Sequence, residues 1–105
     1  MSPDPETVVI IGHFRLPPEI LEAAREPMAR VVAATRAEPG CIKYAYAPEP
    51  GDPGLIHVSE VWESQAALDA HFASPHMKQW QQERAGLGLS DRQITSYSVS
   101  GSKTL

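Results

Sequence analysis

Two segments, VVIIGHFRL at 8–16 and LIHVSEVW at 55–62, put apolar side chains on both sides of an extended backbone. In the first, Val8, Ile10 and Phe14 face one way and Val9 and Ile11 the other; in the second, Ile56, Val58 and Trp62 oppose Leu55 and Val61. Side chains alternate across a strand, and strands apolar on both faces are normally covered on both. A chain of 105 residues has room for one modest core. Its helices can cover one face of a sheet, and no further element remains for the other. The pattern therefore implies a second copy of the chain, packed sheet to sheet as a homodimer.

The remaining elements follow from punctuation and period. Residues 1–7 hold two prolines and no apolar pattern, so a flexible tail is expected there and a single domain over 8–105. Pro17-Pro18 ends the first strand and suits the first turn of a helix. Leu21, Ala24, Met28, Val31 and Thr35 then recur at helical steps, with Pro27 expected to kink or split the helix. Glu38-Pro39-Gly40 closes it. Cys41–Ala47 alternates with Ile42, Tyr44 and Tyr46 on one face, and PEPGDPG at 48–54 is turn chemistry leading to the third strand. Ser64 is placed to cap a helix in which Leu68, His71 and Phe72 share a face. Ser74-Pro75 opens another helix running to about Ala85, and Ile94–Ser100 makes a last strand. The order strand, helix, strand, strand, helix, strand predicts an α+β fold, ferredoxin-like βαββαβ, with helices on one face of an antiparallel four-stranded sheet.

Nine basic against thirteen acidic residues, a formal charge of −4 with no basic cluster, argue against nucleic acid or an anionic membrane as partner. VVII at 8–11 is far short of a span, and MSPDPET is no leader. A lone cysteine rules out an intrachain disulfide and leaves the redox compartment open, with a reducing cytoplasm the default expectation.

The chemistry concentrates between Glu60 and Trp80. His71, among Leu68 and Phe72, can exchange a proton near neutral pH, or can equally be a core histidine bonded to a carbonyl. Trp62, Trp80 and His76 can line an apolar pocket, or serve as core and surface. Glu60 reads as an ion-pair partner or an edge residue. No metal site is expected, because His71 and His76 are five apart across a helix break without a carboxylate at ligand spacing. Cys41 has no evident base beside it, and no glycine-rich phosphate loop follows the first strand.

The segments EPGCIKYAY at 38–46 and LIHVSEVWESQAALDAHFASPHMKQW at 55–80 resemble the antibiotic biosynthesis monooxygenase domain family. The matching positions are Glu38 to Cys41, Tyr44, Glu60 with Trp62, Ala67 with His71, and Ser74 to Met77. The resemblance implies a homodimeric α/β-barrel and oxidation of a hydroquinone, phenol or aromatic polyketide, with dioxygen as co-substrate and no cofactor. It implies His71 as the catalytic base or donor, Trp62 and Phe72 as walls and Tyr44 as a second donor; Phe14, Trp80 and His76 are expected beside them around the substrate. A non-catalytic barrel that binds small aromatics, or an isomerase or cyclase using the same pocket, are the alternatives it leaves. Haem degradation, known in the wider group, is not expected, since the chain has no asparagine.

Overall fold

A computed structural model of the chain describes residues 7–105. The expected tail lies outside the described residues up to residue 6; its last member, Thr7, accepts a backbone hydrogen bond from Val99 at 3.0 Å. The elements are β1 (Val8–Arg15), α1 (Leu21–Arg36), β2 (Cys41–Glu49), β3 (Asp52–Trp62), α2 (Gln65–Phe72), α3 (Pro75–Ala85) and β4 (Ser90–Ser98), with a 3-10 turn at Pro18–Ile20 before α1. The strands form one antiparallel sheet in the order β2-β3-β1-β4, the ferredoxin-like arrangement, with the helices on one face.

The inner face is built from alternate residues: Val8, Ile10 and Phe14 of β1 and Ile56, Val58, Glu60 and Trp62 of β3 are all buried. Helix α1 adds Ala24, Val31 and Thr35, on the predicted stripe, and α3 adds Met77 and Trp80. On the opposite face Val9 pairs with Val61 and Tyr97, and Ile11 with Ser59 and Thr95. Ile11 and Tyr97 are 50% and 52% exposed there, so the second apolar face is present and no element among the described residues covers it.

Four local expectations are corrected. Pro27 does not split α1, which runs unbroken through it. The carbonyl it leaves without a partner belongs to Ala23 on the exposed side, where water can serve it. The turn expected over 48–54 shrinks to Pro50-Gly51, because Gly51 takes φ +82° and lets the strands run to Glu49 and from Asp52. Ile42 leaves the Tyr44 face: the β2–β3 register slips between Cys41 and Lys43, and Ile42 ends 63% exposed. The last strand begins earlier, at Ser90, and stops at Ser98.

One glycine inside a strand has a tight steric reason. A Cβ on Gly12 would overlap the Gln93 carbonyl oxygen and lie 2.7 Å from the Ile94 Cα. Gly12→Ala should force β1 and β4 apart and cost about 1–3 kcal/mol. Urea unfolding of the variant measures this, and an unchanged midpoint would contradict the close strand approach.

Candidate functional site

Between the inner sheet face and helices α2 and α3 lies a small cavity. Ile10, Phe14, Val58 and Ile94 give its apolar floor, Tyr44 and Tyr46 one side, and Phe72, Met77 and Arg84 the helix side, with Glu60 and Arg92 completing it. Its volume of about 30 Å³ holds a water or two, so an aromatic ring enters only if the side chains at the mouth move. Phe72 and Arg92 are the exposed members of the lining. A wider groove of about 620 Å³ runs between α1 and the β2–β3 hairpin. Its lining offers Arg25 and Arg36 among apolar residues and contains no carboxylate, imidazole or thiol, so it has no group suited to proton abstraction.

Glu60 is the titratable acid of the cavity. It sits 7% exposed on β3, and one carboxylate oxygen accepts the Trp62 indole N–H at 2.9 Å. Burial pushes its pKa above the usual carboxylate range, against the opposing pull of the Trp62 N–H and the positive charge of Arg92. Beside it the Tyr44 and Tyr46 hydroxyls share a hydrogen bond of 2.7 Å, and burial raises both phenols above their ordinary value, Tyr44 well above it. Among the described residues, Arg84 and Arg92 enter no ion pair. The cavity thus joins a buried carboxyl, two hydroxyls and two cations inside an aromatic wall.

His71 lies behind this wall. It is fully buried, its ring 4.8 Å from that of Trp62, 5.3 Å from Tyr44 and 5.5 Å from Phe72. Its Nδ1 stands 2.7 Å from Glu38 Oε2, and the Nε2 of His76 stands 2.6 Å from the same oxygen. Burial lowers the His71 pKa, more than offsetting the upward pull of Glu38, so the ring is neutral near pH 7. A neutral ring facing a carboxylate carries its proton on Nδ1, which leaves Nε2 a lone pair; that atom is buried and without a partner among the described residues.

Of the residues singled out in the sequence, the structure brings Tyr44, Phe14 and Phe72 to the cavity, while His71, His76, Trp62 and Trp80 do not line it. Phe72 is 46% exposed and stands at the mouth instead of sharing the buried face of Leu68 and His71. Trp80 belongs to the core with Phe14, Leu16 and Val31. Glu60 is neither ion-paired nor at an edge. Its place on the strand face of Trp62 follows from the sequence, since a carboxylate one strand period before Trp62 shares its buried face. Arg84, one helical turn after Trp80 and two after Met77, shares their face of α3 by the same periodicity.

The model of the antibiotic biosynthesis monooxygenase family matches residues 7–83. Among curated proteins, the chain is 36% identical over 69 residues to one from Mycobacterium tuberculosis named as a candidate monooxygenase, covering 66% of this chain and 67% of that protein. It is 26% identical over 100 residues to an uncharacterised protein of Synechocystis, covering 95% and 68%. A Deinococcus radiodurans crystal structure described as a candidate antibiotic biosynthesis monooxygenase superposes with a TM-score of 0.85 at 26% identity, covering 93% of this chain and 97% of that one. A Pseudomonas aeruginosa protein does so with a TM-score of 0.80 at 25% identity, covering 91% and 96%.

Proposed function

The chain belongs to the antibiotic biosynthesis monooxygenase family, and from that premise we propose that it oxidises a hydroquinone or phenolic aromatic with dioxygen, without metal, flavin or other prosthetic group. The observation that carries the reading is Glu60, a buried carboxyl with a raised pKa on the wall of an aromatic cavity. We place the proton-abstracting role there and not on His71, which stands one ring further out.

Glu60 takes the phenolic proton of the substrate, and Arg84 and Arg92 offset the negative charge that develops. The resulting anion is electron-rich enough to reduce dioxygen. A C–O bond forms at an activated ring carbon, and the peroxide oxygen takes its proton back from Glu60. Loss of water, with departure of the hydrogen on that carbon, converts the hydroperoxide to a carbonyl. A hydroquinone thus becomes a hydroxyquinone, one oxygen atom enters the ring and the other leaves as water. The substrate supplies every electron, so the balance needs no external reductant.

The active form in this reading is a homodimer in the cytoplasm. The uncovered sheet face carrying Val9, Ile11, Val61 and Tyr97 supports the dimer, since an exposed apolar surface of this kind is stabilised by a like surface. Light scattering on the purified protein should return twice the chain mass of 11.5 kDa, and Ile11→Lys should halve it. A wild-type monomer at micromolar concentration would refute the dimer.

Oxygen uptake by chelator-treated protein over a panel of hydroquinones tests the reaction. Protein-dependent uptake above the autoxidation blank is expected. Rearrangement of a panel member without uptake would replace the oxygenase with an isomerase, and tight binding without turnover would replace it with a binding protein.

A further inference from the structure

The cluster behind the cavity has a composition that the proposed oxygenation does not use. Glu38, His71 and His76 come from the α1–β2 turn, the last turn of α2 and the first turn of α3. One donor atom of each lies within 4.8 Å of the other two, and Glu38 Oε2 faces both His71 Nδ1 and His76 Nε2. Two imidazoles and one carboxylate converging from three elements form a donor set for a borderline transition metal, not for oxygen-seeking magnesium or calcium. We propose that this cluster binds one divalent ion of the zinc type, which clamps the turn to both helices.

The backbones carrying the three donors are already held. Gly40 adopts φ +83°, and a Cβ added there would lie 2.7 Å from that of Ala67, so the turn is pressed against the start of α2. The Glu63 N–H donates to the Gly40 carbonyl at 2.9 Å. At the other end the Ser74 hydroxyl donates to the His71 carbonyl at 2.6 Å and accepts from the Met77 N–H at 3.3 Å. Only side chains have to adjust, with the His71 proton passing from Nδ1, which becomes the ligating atom, to Nε2. Tetrahedral zinc with bonds of about 2.0–2.2 Å separates its ligands by roughly 3.4 Å. The present contacts of 2.7 and 2.6 Å must therefore open by several tenths of an ångström, within reach of a glutamate rotation.

Access and affinity follow from burial. His71 is 1% exposed and seals the inner side, whereas His76 at 23% and Glu38 at 12% leave the remaining coordination positions toward water. The His71 Nε2 has no partner among the described residues, so a hydrogen bond that would support a metal-bound imidazole is missing, which typically costs about 10–100-fold in affinity. Micromolar binding is expected, not the nanomolar binding of a fully supported site. None of the three residues lines the cavity, so the ion carries no step of the oxygenation and the inference stands apart from that reading.

The test uses the whole chelator-treated protein. Titration calorimetry with zinc chloride should give one site per chain, and cobalt(II) should develop the visible bands of a low-coordinate nitrogen and oxygen site. Zinc should also raise the melting temperature. His76→Ala, at a partly exposed position, should fold and lose affinity by about tenfold or more, and Glu38→Gln should do the same. Absence of zinc heat and cobalt bands in the wild type would overturn the proposal. Equal binding by His76→Ala would overturn it too, assigning the ion to scattered surface groups. In either case Glu38 would be a hydrogen-bonded clamp accepting both imidazole N–H groups.

Discussion

Glu60→Gln should reduce oxygen uptake by about two to four orders of magnitude, the usual worth of a positioned general base, while making the fold more stable at neutral and alkaline pH. Glutamine keeps the shape and the carbonyl oxygen that accepts the Trp62 N–H at 2.9 Å, but cannot take a proton. The stability effect comes from linkage. Burial raises the Glu60 pKa above its ordinary 4.5, so the folded chain retains a proton that the unfolded chain has released. Wild-type stability is therefore full below the unfolded value and falls as pH rises through the folded one. The loss is about 1.4 kcal/mol for each unit of pKa difference. The variant lacks that slope. Melting curves of both proteins from acid to alkaline pH should nearly coincide at the acid end and separate upward for the glutamine form. If Glu60→Gln turned over at the wild-type rate, proton abstraction would pass to another group, with His71 the first to examine.

Trp62→Ala should have the largest effect on stability. The indole is fully buried and packs on Tyr44 and His71 at ring separations of 6.4 and 4.8 Å. Truncating a buried tryptophan costs about 3–5 kcal/mol, a large part of the 5–15 kcal/mol typical of a whole domain. The change also takes from Glu60 its indole donor. Trp62→Phe separates the two effects: most of the volume stays and the N–H goes, for a smaller cost of about 1–3 kcal/mol. Urea unfolding of the two variants should rank them in that order. A Trp62→Ala loss under about 1 kcal/mol would mean that the ring does not hold the two halves of the inner face together.

The parts of the fold legible in the sequence were those set by local chemistry and period. Ser64 and Ser74 cap helices by accepting the N–H of Ala67 and Met77, as hydroxyls before such segments do. The two-faced strands yielded the sheet and its uncovered side by alternation alone. Ile42 shows where alternation fails, because a bulge is a property of the strand pair and leaves no mark in one strand's pattern. The candidate site was legible by composition more than by position. His71 stood out because imidazole is the obvious proton carrier. Its true partner, Glu38, is 33 residues away in sequence, and no spacing rule reaches across two strands and most of a helix. A metal site looked excluded for the same reason, since the carboxylate arrives through the turn that closes α1.

Ser74 links His71 and His76 through a single hydroxyl, which ends α2 at the His71 carbonyl and starts α3 at the Met77 N–H. The corner between the two helices therefore has no slack, and lengthening it by even one residue would break both bonds and rotate one imidazole away from the other. The Pro50-Gly51 tip is the opposite kind of place, with no atom within 4 Å of an added Gly51 Cβ. A fluorophore, affinity tag or surface tether grafted at that tip would report on the protein without touching its chemistry, whereas the same insertion at the helix corner would dismantle it.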